Sequence, residues 1–154
     1  MIGSQGLVQI DVGEMIQNSV SLFSDLKRVK IENQCKGFET VADSMICEIF
    51  HNLIDNTLKY GQKTTKIRMC TKSNDDGSHS IIYEDDGVGL DERAKKHLFQ
   101  KGFGKGTGYG LYLISQICEV YSWTVQENGE QGKGVRFEFR IPAKNSFLLN
   151  ANAN

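Results

Sequence analysis

Apolar and polar residues recur along the chain with periods that predict short strands and amphipathic helices. The clearest pattern runs from Asp43 to Gly61 and predicts a helix capped by Asp43 or Ser44 and closed by Gly61 in the left-handed conformation. At about 100° per residue, one arc forms a core-facing stripe of Ile46, Ile49, Phe50, Leu53 and Thr57. The opposite arc is polar and predicts either a solvated face or the wall of a solvent-filled cleft; it holds Glu48, Asn52, Asp55, Asn56 and Lys59.

The remaining elements complete an α+β pattern. Helical periodicity predicts a helix from Val12 to about Phe23, a charged segment from Asp91 to Phe99, and a last helix from Gly108 to Tyr121. Alternating segments predict strands at residues 7–10, 29–32, 38–41, 64–71, 78–84, 123–127 and 135–141. Helices that bracket a run of antiparallel strands imply a two-layer α/β sandwich, with one mixed, mostly antiparallel sheet and helices on one face.

Composition indicates one soluble domain. The chain has 154 residues, of which 39% are apolar and 24% charged, and its net charge of −1 gives no electrostatic footprint for nucleic acid or an anionic membrane. Apolar runs are too short to span a membrane, and no secretory signal opens the chain, so we expect a cytoplasmic location. The four cysteines form no CxxC pair, which predicts reduced, mostly buried thiols. We expect residues 1–6 to be disordered, 7–143 to form the domain and 144–154 to be a flexible tail.

A carboxylate and two glycines directly follow the strand predicted at residues 78–84. The segment is Asp85-Asp86-Gly87-Val88-Gly89-Leu90. Gly87 and Gly89 allow the backbone to approach a flat ligand, and Asp85 can accept a hydrogen bond from an exocyclic amine such as that of adenine. The alternative is an Asp-Gly turn that serves only the geometry of the chain.

Glycine alternates with other residues just before the last predicted helix. The glycines stand at positions 102, 104, 106, 108 and 110. Free backbone N–H groups and the positive end of a helix together predict a phosphate site. The segment matches neither the Walker A motif nor the Gly-x-Gly-x-x-Gly dinucleotide pattern. The alternative is a flexible surface loop.

In this order and spacing, the motifs resemble the ATP-binding catalytic domain of sensor histidine kinases. That domain belongs to the GHKL superfamily, which also holds type II topoisomerases, mismatch-repair ATPases and heat-shock chaperone ATPases. HNLIDNTLKYG is similar to the N box, EDDGVGL to the G1 box, LFQKGF to the F box and GTGYGL to the G2 box, and Gly132 to Phe137 resembles the closing Gly-x-Gly strand. The match runs from about Val8 to Pro142 and implies the Bergerat ATP-binding fold.

The resemblance also implies roles for individual residues. Asn56 corresponds to the asparagine that binds Mg²⁺, and Asn52 occupies the position where hydrolases of the superfamily carry a catalytic glutamate. Lys59 resembles the phosphate-facing lysine, Tyr60 the aromatic residue near the ribose and adenine, and Asp85 the acid that takes the adenine amine. The residues expected along the triphosphate are Lys105, Gly106, Thr107, Gly108, Gly110 and Leu111.

Three features depart from the family pattern. The lid between Leu90 and Gly106 is short, and Val135 stands where many relatives have a threonine near the adenine acid. No histidine is followed by Glu or Asp, as the family's acceptor histidine usually is.

We therefore expect a catalytic module that binds Mg-ATP and phosphorylates a histidine on a separate acceptor (dimerisation) domain in two-component signalling. We expect indirect coupling to a response regulator, and no nucleic acid or direct membrane contact. The alternatives are a serine kinase of the anti-sigma type and a binding module without nucleotide chemistry.

Overall fold

The structure, a computed structural model, describes residues 6–103 and 109–148 as helices, strands and connecting turns. The helices are α1 (Val12–Ser21), α2 (Ile46–Tyr60), α3 (Glu92–Lys96) and α4 (Gly110–Tyr121), with a 3₁₀ turn at Ala143–Asn145. The strands are β1 (Val8–Asp11), β2 (Lys30–Asn33), β3 (Phe38–Ala42), β4 (Lys66–Ser73), β5 (His79–Asp85), β6 (Thr124–Glu127), β7 (Arg136–Ile141) and β8 (Ser146–Leu148). All of the predicted strands and helices are confirmed, with ends that shift by a few residues.

The main sheet has five strands in the order β2-β4-β5-β7-β6. Only the β2–β4 pair is parallel, and the other neighbours are antiparallel, which confirms the mixed, mostly antiparallel sheet. Alternate residues of the central strands enter one apolar core with α2 and α4, among them Ile67, Ile81 and Phe139. The α+β sandwich is therefore confirmed, and it places α2 across the sheet.

A second, three-stranded sheet in the order β1-β3-β8 accompanies the main sheet, whereas we expected a single sheet. Its last strand, β8 (Ser146–Leu148), lies in the segment 144–154 that we expected to be a flexible tail. The segment is ordered by long-range contacts: the Thr40 hydroxyl donates to the Asn145 carbonyl at 2.7 Å, and the Ser146 hydroxyl lies 2.8 Å from Nδ1 of His79. Residues 1–5 and 149–154 of the expected termini lie outside the described residues.

Helix α2 buries the predicted stripe. Ile46, Ile49, Phe50, Leu53 and Thr57 are all buried, and Ile54 joins them because α2 packs against both α1 and α4. The predicted side-chain cap is wrong: the helix starts after Met45, and the Asp43 carboxylate instead accepts from the Met45 N–H. Asp43 is also the partner of the Tyr121 hydroxyl, so it ties the start of α2 to the end of α4.

The expected left-handed conformation at Gly61 is also wrong. Gly61 has a φ of −69°, and the left-handed residue is Gln62, with a φ of 63°. Glycine is required at position 61 for space, because a Cβ atom there would lie 2.1 Å from Oγ1 of Thr64 and 2.7 Å from the Thr57 carbonyl oxygen.

All four cysteines are free thiols, as predicted. Cys35 and Cys118 are buried, and burial raises the pKa of each thiol to about 12, so neither is a ready nucleophile. Cys47 and Cys70 are half-buried. No helix in the described ranges 6–103 and 109–148 combines the length and the apolar character needed to cross a bilayer.

Candidate functional site

A cavity of about 180 Å³ opens between α2, the chain that follows β5, and the start of α4. Its walls are mostly apolar, with one carboxylate and one amide among them. The lining residues are Leu53, Asn56, Thr57, Tyr60, Gly61, Asp85, Val88, Gly89, Leu90, Ala94, Leu98, Phe103, Gly110, Leu111, Val135 and Phe137. An apolar cavity with a few convergent polar groups is the usual form of a small-molecule site.

Asp85 is held in one orientation by three hydrogen bonds. Its Oδ1 accepts from the main-chain N–H groups of Gly87 at 2.9 Å and Val135 at 3.1 Å, and its Oδ2 accepts from the Thr57 hydroxyl at 2.8 Å. Asp85 ends β5 beside β7, so the main sheet itself places the carboxylate at the cavity. The resulting group is a fixed hydrogen-bond acceptor at the edge of an apolar space.

The neighbouring acid, Asp86, has a structural role that the sequence did not reveal. Its carboxylate accepts from the main-chain N–H groups of Thr65 at 2.7 Å and Lys66 at 3.0 Å, and also from the Thr65 hydroxyl. Burial raises the pKa of Asp86, but these hydrogen bonds outweigh it and leave the pKa below its usual value. Asp86 therefore fixes the start of β4, while Asp85 faces the cavity.

Glycine at position 134 allows β7 to approach Asp85. The residue has a φ of 130°, and a Cβ atom there would lie 1.9 Å from the Asp85 carbonyl oxygen. No other residue type fits this contact without moving one of the two segments. The closing Gly-x-Gly strand is thus what lets the Val135 N–H reach the Asp85 carboxylate.

The two asparagines of α2 lie on the same side of the helix but have different neighbours. Asn56 lines the cavity, and its side chain makes no hydrogen bond within ranges 6–103 and 109–148, so its amide oxygen is available to a ligand. Asn52 donates through Nδ2 to the Glu48 carbonyl at 2.8 Å, and a Cβ atom on Gly110 would meet its Oδ1 at 3.0 Å. The amide of Asn52 therefore faces the first residue of α4.

Lys59 is exposed and does not line the cavity. Its ammonium group forms an ion pair with the Asp55 carboxylate at 2.9 Å, one helical turn earlier. The hydrogen bond to Asp55 and the charge of that carboxylate raise the pKa of Lys59 above its usual value. A phosphate group that bound to the Lys59 ammonium group would have to share it with the Asp55 carboxylate.

Most of the predicted site residues meet at this cavity. Asn56, Tyr60, Asp85, Gly89, Gly110 and Leu111 line it. Asn52 and Gly87 adjoin it through their contacts with Gly110 and Asp85. Lys59 does not line it, and its ion-pair partner Asp55 does not either. The predictions for Lys105, Gly106, Thr107 and Gly108 fall outside the described residues.

The wall opposite α2 is fastened to the sheet by contacts that sequence reasoning missed. Lys95 of α3 forms an ion pair with Glu127 of β6 and donates to the Gly129 carbonyl oxygen. Phe99, which follows α3, packs edge-on against Phe137 of β7 with ring centroids 6.4 Å apart. Only Phe99 carried a sequence signal, through the F box, because the partners of Lys95 are more than 30 residues away along the chain.

The sequence patterns also did not identify the hydroxyl groups of Thr57 and Tyr83 as part of the site. The sequence placed Thr57 in the core-facing stripe, and it gave Tyr83 no role beyond its strand. In the structure both are buried, and their hydroxyl oxygens lie 2.5 Å apart beside Asp85. A hydroxyl on an otherwise apolar stripe was the available signal.

Solved structures share this fold. A mycobacterial sensor histidine kinase, MprB, superposes with a TM-score of 0.77 at 18% identity, over 88% of this chain and 97% of that one. Full-length ShkA in complex with AMPPNP gives a TM-score of 0.74 at 22% identity, over 89% of this chain and 31% of that one.

Curated proteins resemble parts of the sequence. A probable C4-dicarboxylate sensor kinase of Bacillus subtilis is 38% identical over 69 residues, which is 42% of this chain and 13% of that protein. The sensor protein RprX of Bacteroides fragilis is 25% identical over 150 residues, which is 87% of this chain and 29% of that protein. The chain thus spans less than a third of the length of either relative.

A family model described as histidine kinase-, DNA gyrase B- and HSP90-like ATPase matches residues 41–145. This range contains α2, Asp85, α4 and β7, and hence nearly all of the cavity wall. By sequence and by fold, the chain belongs to the family of histidine kinase-, DNA gyrase B- and HSP90-like ATPases.

Proposed function

We propose that this chain binds Mg-ATP in the α2–α4 cavity and donates the γ-phosphoryl group to a histidine on a separate acceptor domain. The observation that carries the proposal is the position of Asp85. A carboxylate with both oxygens oriented by fixed donors faces an apolar cavity that also exposes the Asn56 amide. This arrangement suits a ligand with a flat base at one end and a charged group at the other.

The base would lie against the apolar wall and donate its exocyclic amine to Asp85. Leu53, Val88 and Leu98 provide surfaces for a flat ring, and Tyr60 stands at the same wall. The Asp85 carboxylate favours a ligand that carries a hydrogen-bond donor, because an acceptor lone pair without a donor is costly in an apolar site. Adenine has such a donor at its exocyclic amine.

The triphosphate would extend toward the first turn of α4. This helix has 12 residues and begins at Gly110, so the positive end of its dipole would stabilise an anion bound at its first turn. Lys59 would add a cation. We propose that Lys105, Gly106, Thr107 and Gly108 complete this end of the site.

The residues present also fit a magnesium ion. The available Asn56 oxygen is a hard ligand, and ranges 6–103 and 109–148 contain no group of three or more Asp, Glu, His or Cys side chains that could hold a metal ion alone. The remaining ligands would be phosphate oxygens and water, as magnesium prefers. Magnesium would neutralise charge on the phosphates during transfer.

Asn52 favours transfer to a protein side chain over hydrolysis. Its amide lies beside Gly110, where a catalytic base would activate water, but an amide cannot accept that proton. In the transfer, an acceptor-histidine nitrogen forms a bond to the γ-phosphorus, the bond to the bridging oxygen breaks, and ADP leaves. The chain's part is to hold ATP in line, and proximity of the acceptor lowers the barrier.

The acceptor would belong to a histidine-containing dimerisation domain, with a response regulator downstream of it. The sensor kinases to which the chain is similar support this assignment, because they are longer than this chain.

The test combines the purified chain, labelled Mg-ATP and a two-helix acceptor domain in trans. We expect label on the acceptor domain that is acid-labile and alkali-stable, as phosphohistidine is. Acid-stable label on a serine of an added protein would support the anti-sigma type of kinase instead. Failure of the chain to bind Mg-ATP in titration calorimetry would overturn the proposal.

A further inference from the structure

Two buried hydroxyls and the half-buried carboxylate of Asp85 form a series of hydrogen bonds at the cavity. The phenol oxygen of Tyr83 lies 2.5 Å from the Thr57 hydroxyl oxygen, which lies 2.8 Å from Oδ2 of Asp85. The phenol oxygen is also 3.0 Å from the Leu53 carbonyl oxygen. Tyr83 is fully buried and Thr57 is 4% exposed, so both hydroxyls are largely shielded from solvent.

The number of hydroxyl hydrogens determines which group donates in each of these hydrogen bonds. Three short contacts share two hydroxyl hydrogens, and a carboxylate oxygen only accepts. Thr57 therefore donates to Oδ2 of Asp85, and Tyr83 donates to Thr57. The Tyr83 hydroxyl also donates to the Leu53 carbonyl oxygen at 3.0 Å, and the contact with Thr57 is the shorter of the two. Burial raises the pKa of Tyr83 well above its usual value, so the phenol keeps the hydrogen that it donates.

The two oxygens of Asp85 are consequently not equivalent. Oδ1 already accepts two main-chain hydrogen bonds, from Gly87 and Val135. Among residues 6–103 and 109–148, Oδ2 accepts from the Thr57 hydroxyl alone, which leaves one lone pair for a ligand. The hydrogen bond to Oδ2 therefore comes from α2, through Thr57, whereas both hydrogen bonds to Oδ1 come from main-chain groups beside the ends of β5 and β7.

We infer that Thr57, polarised by Tyr83, is a positioning residue that sets the preference of this site for a base with an exocyclic amine. The inference rests on the proposed binding of ATP and names the residues that tune its base recognition. It fits the presence of Val135 on the β7 side of Asp85, where no hydroxyl is available. Because Thr57 adjoins Asn56, the same bond also ties the base end of the cavity to the candidate metal ligand.

The test compares two ligands that differ only in the amine. Mg-ATP and the Mg complex of purine riboside triphosphate, which lacks the amine, are titrated into the wild-type chain, Thr57→Val, Thr57→Ser and Tyr83→Phe. Thr57→Val keeps the shape of the residue but removes the hydrogen bond to a charged group, so the preference for ATP should fall about tenfold. Thr57→Ser keeps the hydroxyl and should retain the wild-type preference. Tyr83→Phe should show a smaller loss in the same direction.

The design separates positioning from structural damage. If Thr57→Val weakens both ligands equally, Thr57 is a structural residue and the inference is wrong. An unchanged preference in Thr57→Val also overturns it. If urea unfolding shows that Thr57→Val does not fold, the same two ligands are compared in Tyr83→Phe instead. If the wild-type chain binds neither ligand, the proposed function fails and not the inference alone.

Discussion

The ammonium group of Lys95 lies 3.3 Å from Oε1 of Glu127, which belongs to a side chain with only 1% of its surface exposed. The other carboxylate oxygen, Oε2, accepts from the main-chain N–H groups of Gly129 and Arg136. Oε1 makes no hydrogen bond within the described part of the chain, and the Lys95 ammonium balances its charge. This ion pair joins α3 to the hairpin of β6 and β7 and so fixes one wall of the cavity.

Removal of Lys95 should therefore destabilise the domain. Lys95→Met keeps the aliphatic stem but leaves Glu127 buried without its cation. Because Lys95 itself is 21% exposed, we expect a loss of about 1–3 kcal/mol in the free energy of unfolding, less than for a fully buried pair. Urea denaturation measures this loss.

The matched control is the exposed pair of Lys133 and Glu130, whose side chains are 77% and 68% exposed. Lys133→Met should change the stability by less than about 0.5 kcal/mol. Equal effects of the two variants would contradict the assigned role of the Lys95–Glu127 pair.

Two cavity variants should separate metal recognition from base recognition. Asn56→Ala removes the available amide oxygen, so it should weaken Mg-ATP binding about tenfold but leave metal-free ATP binding nearly unchanged. Asp85→Asn can present an N–H to the amine of the base, so it should weaken binding more than about tenfold with or without metal. Titration calorimetry with magnesium or with EDTA measures both.

The control is Asn18→Ala, on the exposed side of α1, which should bind like the wild type. Wild-type affinity in both cavity variants would show that nucleotide does not bind where we place it.

The chain alone should turn ATP over very slowly and should not label itself. Asn52 has an amide where a base would be required, and His51, His79 and His97 are followed by Asn, Ser and Leu rather than by an acid. His51 stacks on Phe23 at 4.8 Å and His79 contacts Ser146, so both have structural partners. Stoichiometric, acid-labile phosphate on any of these histidines would refute the prediction. Asn52→Glu should raise hydrolysis, which a phosphate-release assay measures.

Asp86 should make the stability of the domain depend on pH. Its pKa in the folded state is lowered, so its contribution is present above the unfolded-state pKa of about 3.9 and is lost as the pH falls through the folded-state value. Asp86→Asn should cost about 1 kcal/mol at pH 7 through weaker hydrogen bonds to Thr65 and Lys66. The difference from the wild type should shrink toward pH 3.

Urea unfolding at several pH values tests this prediction. Asp75→Asn, in an exposed turn, removes the same charge from a carboxylate that accepts no hydrogen bond from the described residues, so it is the control. A gap between wild type and Asp86→Asn that stays constant from pH 7 to pH 3 would rule out the proposed linkage.

Gly61 and Gly102 should respond differently to alanine. At Gly61 the new methyl group would overlap Thr64 and the Thr57 carbonyl, so we expect a loss of about 2–3 kcal/mol from overpacking. At Gly102, which has a φ of 77°, a Cβ atom would have no neighbour within 4 Å among residues 6–103 and 109–148, so we expect a cost of about 1 kcal/mol from the left-handed conformation. A smaller loss of stability for Gly61→Ala than for Gly102→Ala would argue against the steric explanation.

The parts of the fold that the sequence predicted are those set by local pattern. The stripe on α2 identified five buried residues because a helix repeats its environment every turn. The alternation of β4, β5 and β7 identified the main sheet in the same way. Strand β8 escaped prediction because three residues carry almost no periodicity, and their order comes from β3, more than 100 residues away.

The site shows the same division. Spacing within motifs indicated Asn56, Asp85 and Gly110, which line the cavity. The hydroxyls of Thr57 and Tyr83 belong to no sequence motif, because their role depends on a contact between helix α2 and strand β5. Gly61 was predicted for the wrong reason, since local rules describe backbone angles but not the position of Thr64.

The three-stranded sheet also determines how the domain would respond to tension. Val8 pairs with Ala42 at one end of β3, and Leu148 pairs with Phe38 at the other, on the opposite edge. Strands β1 and β8 are thus parallel to each other, and pulling them outward from Val8 and Leu148 slides them in opposite directions along β3. Such shear loads the hydrogen bonds of both ladders together instead of opening them one at a time. Force applied at these ends would therefore act directly on this small sheet, and it would reach the cavity through β3, which leads into α2.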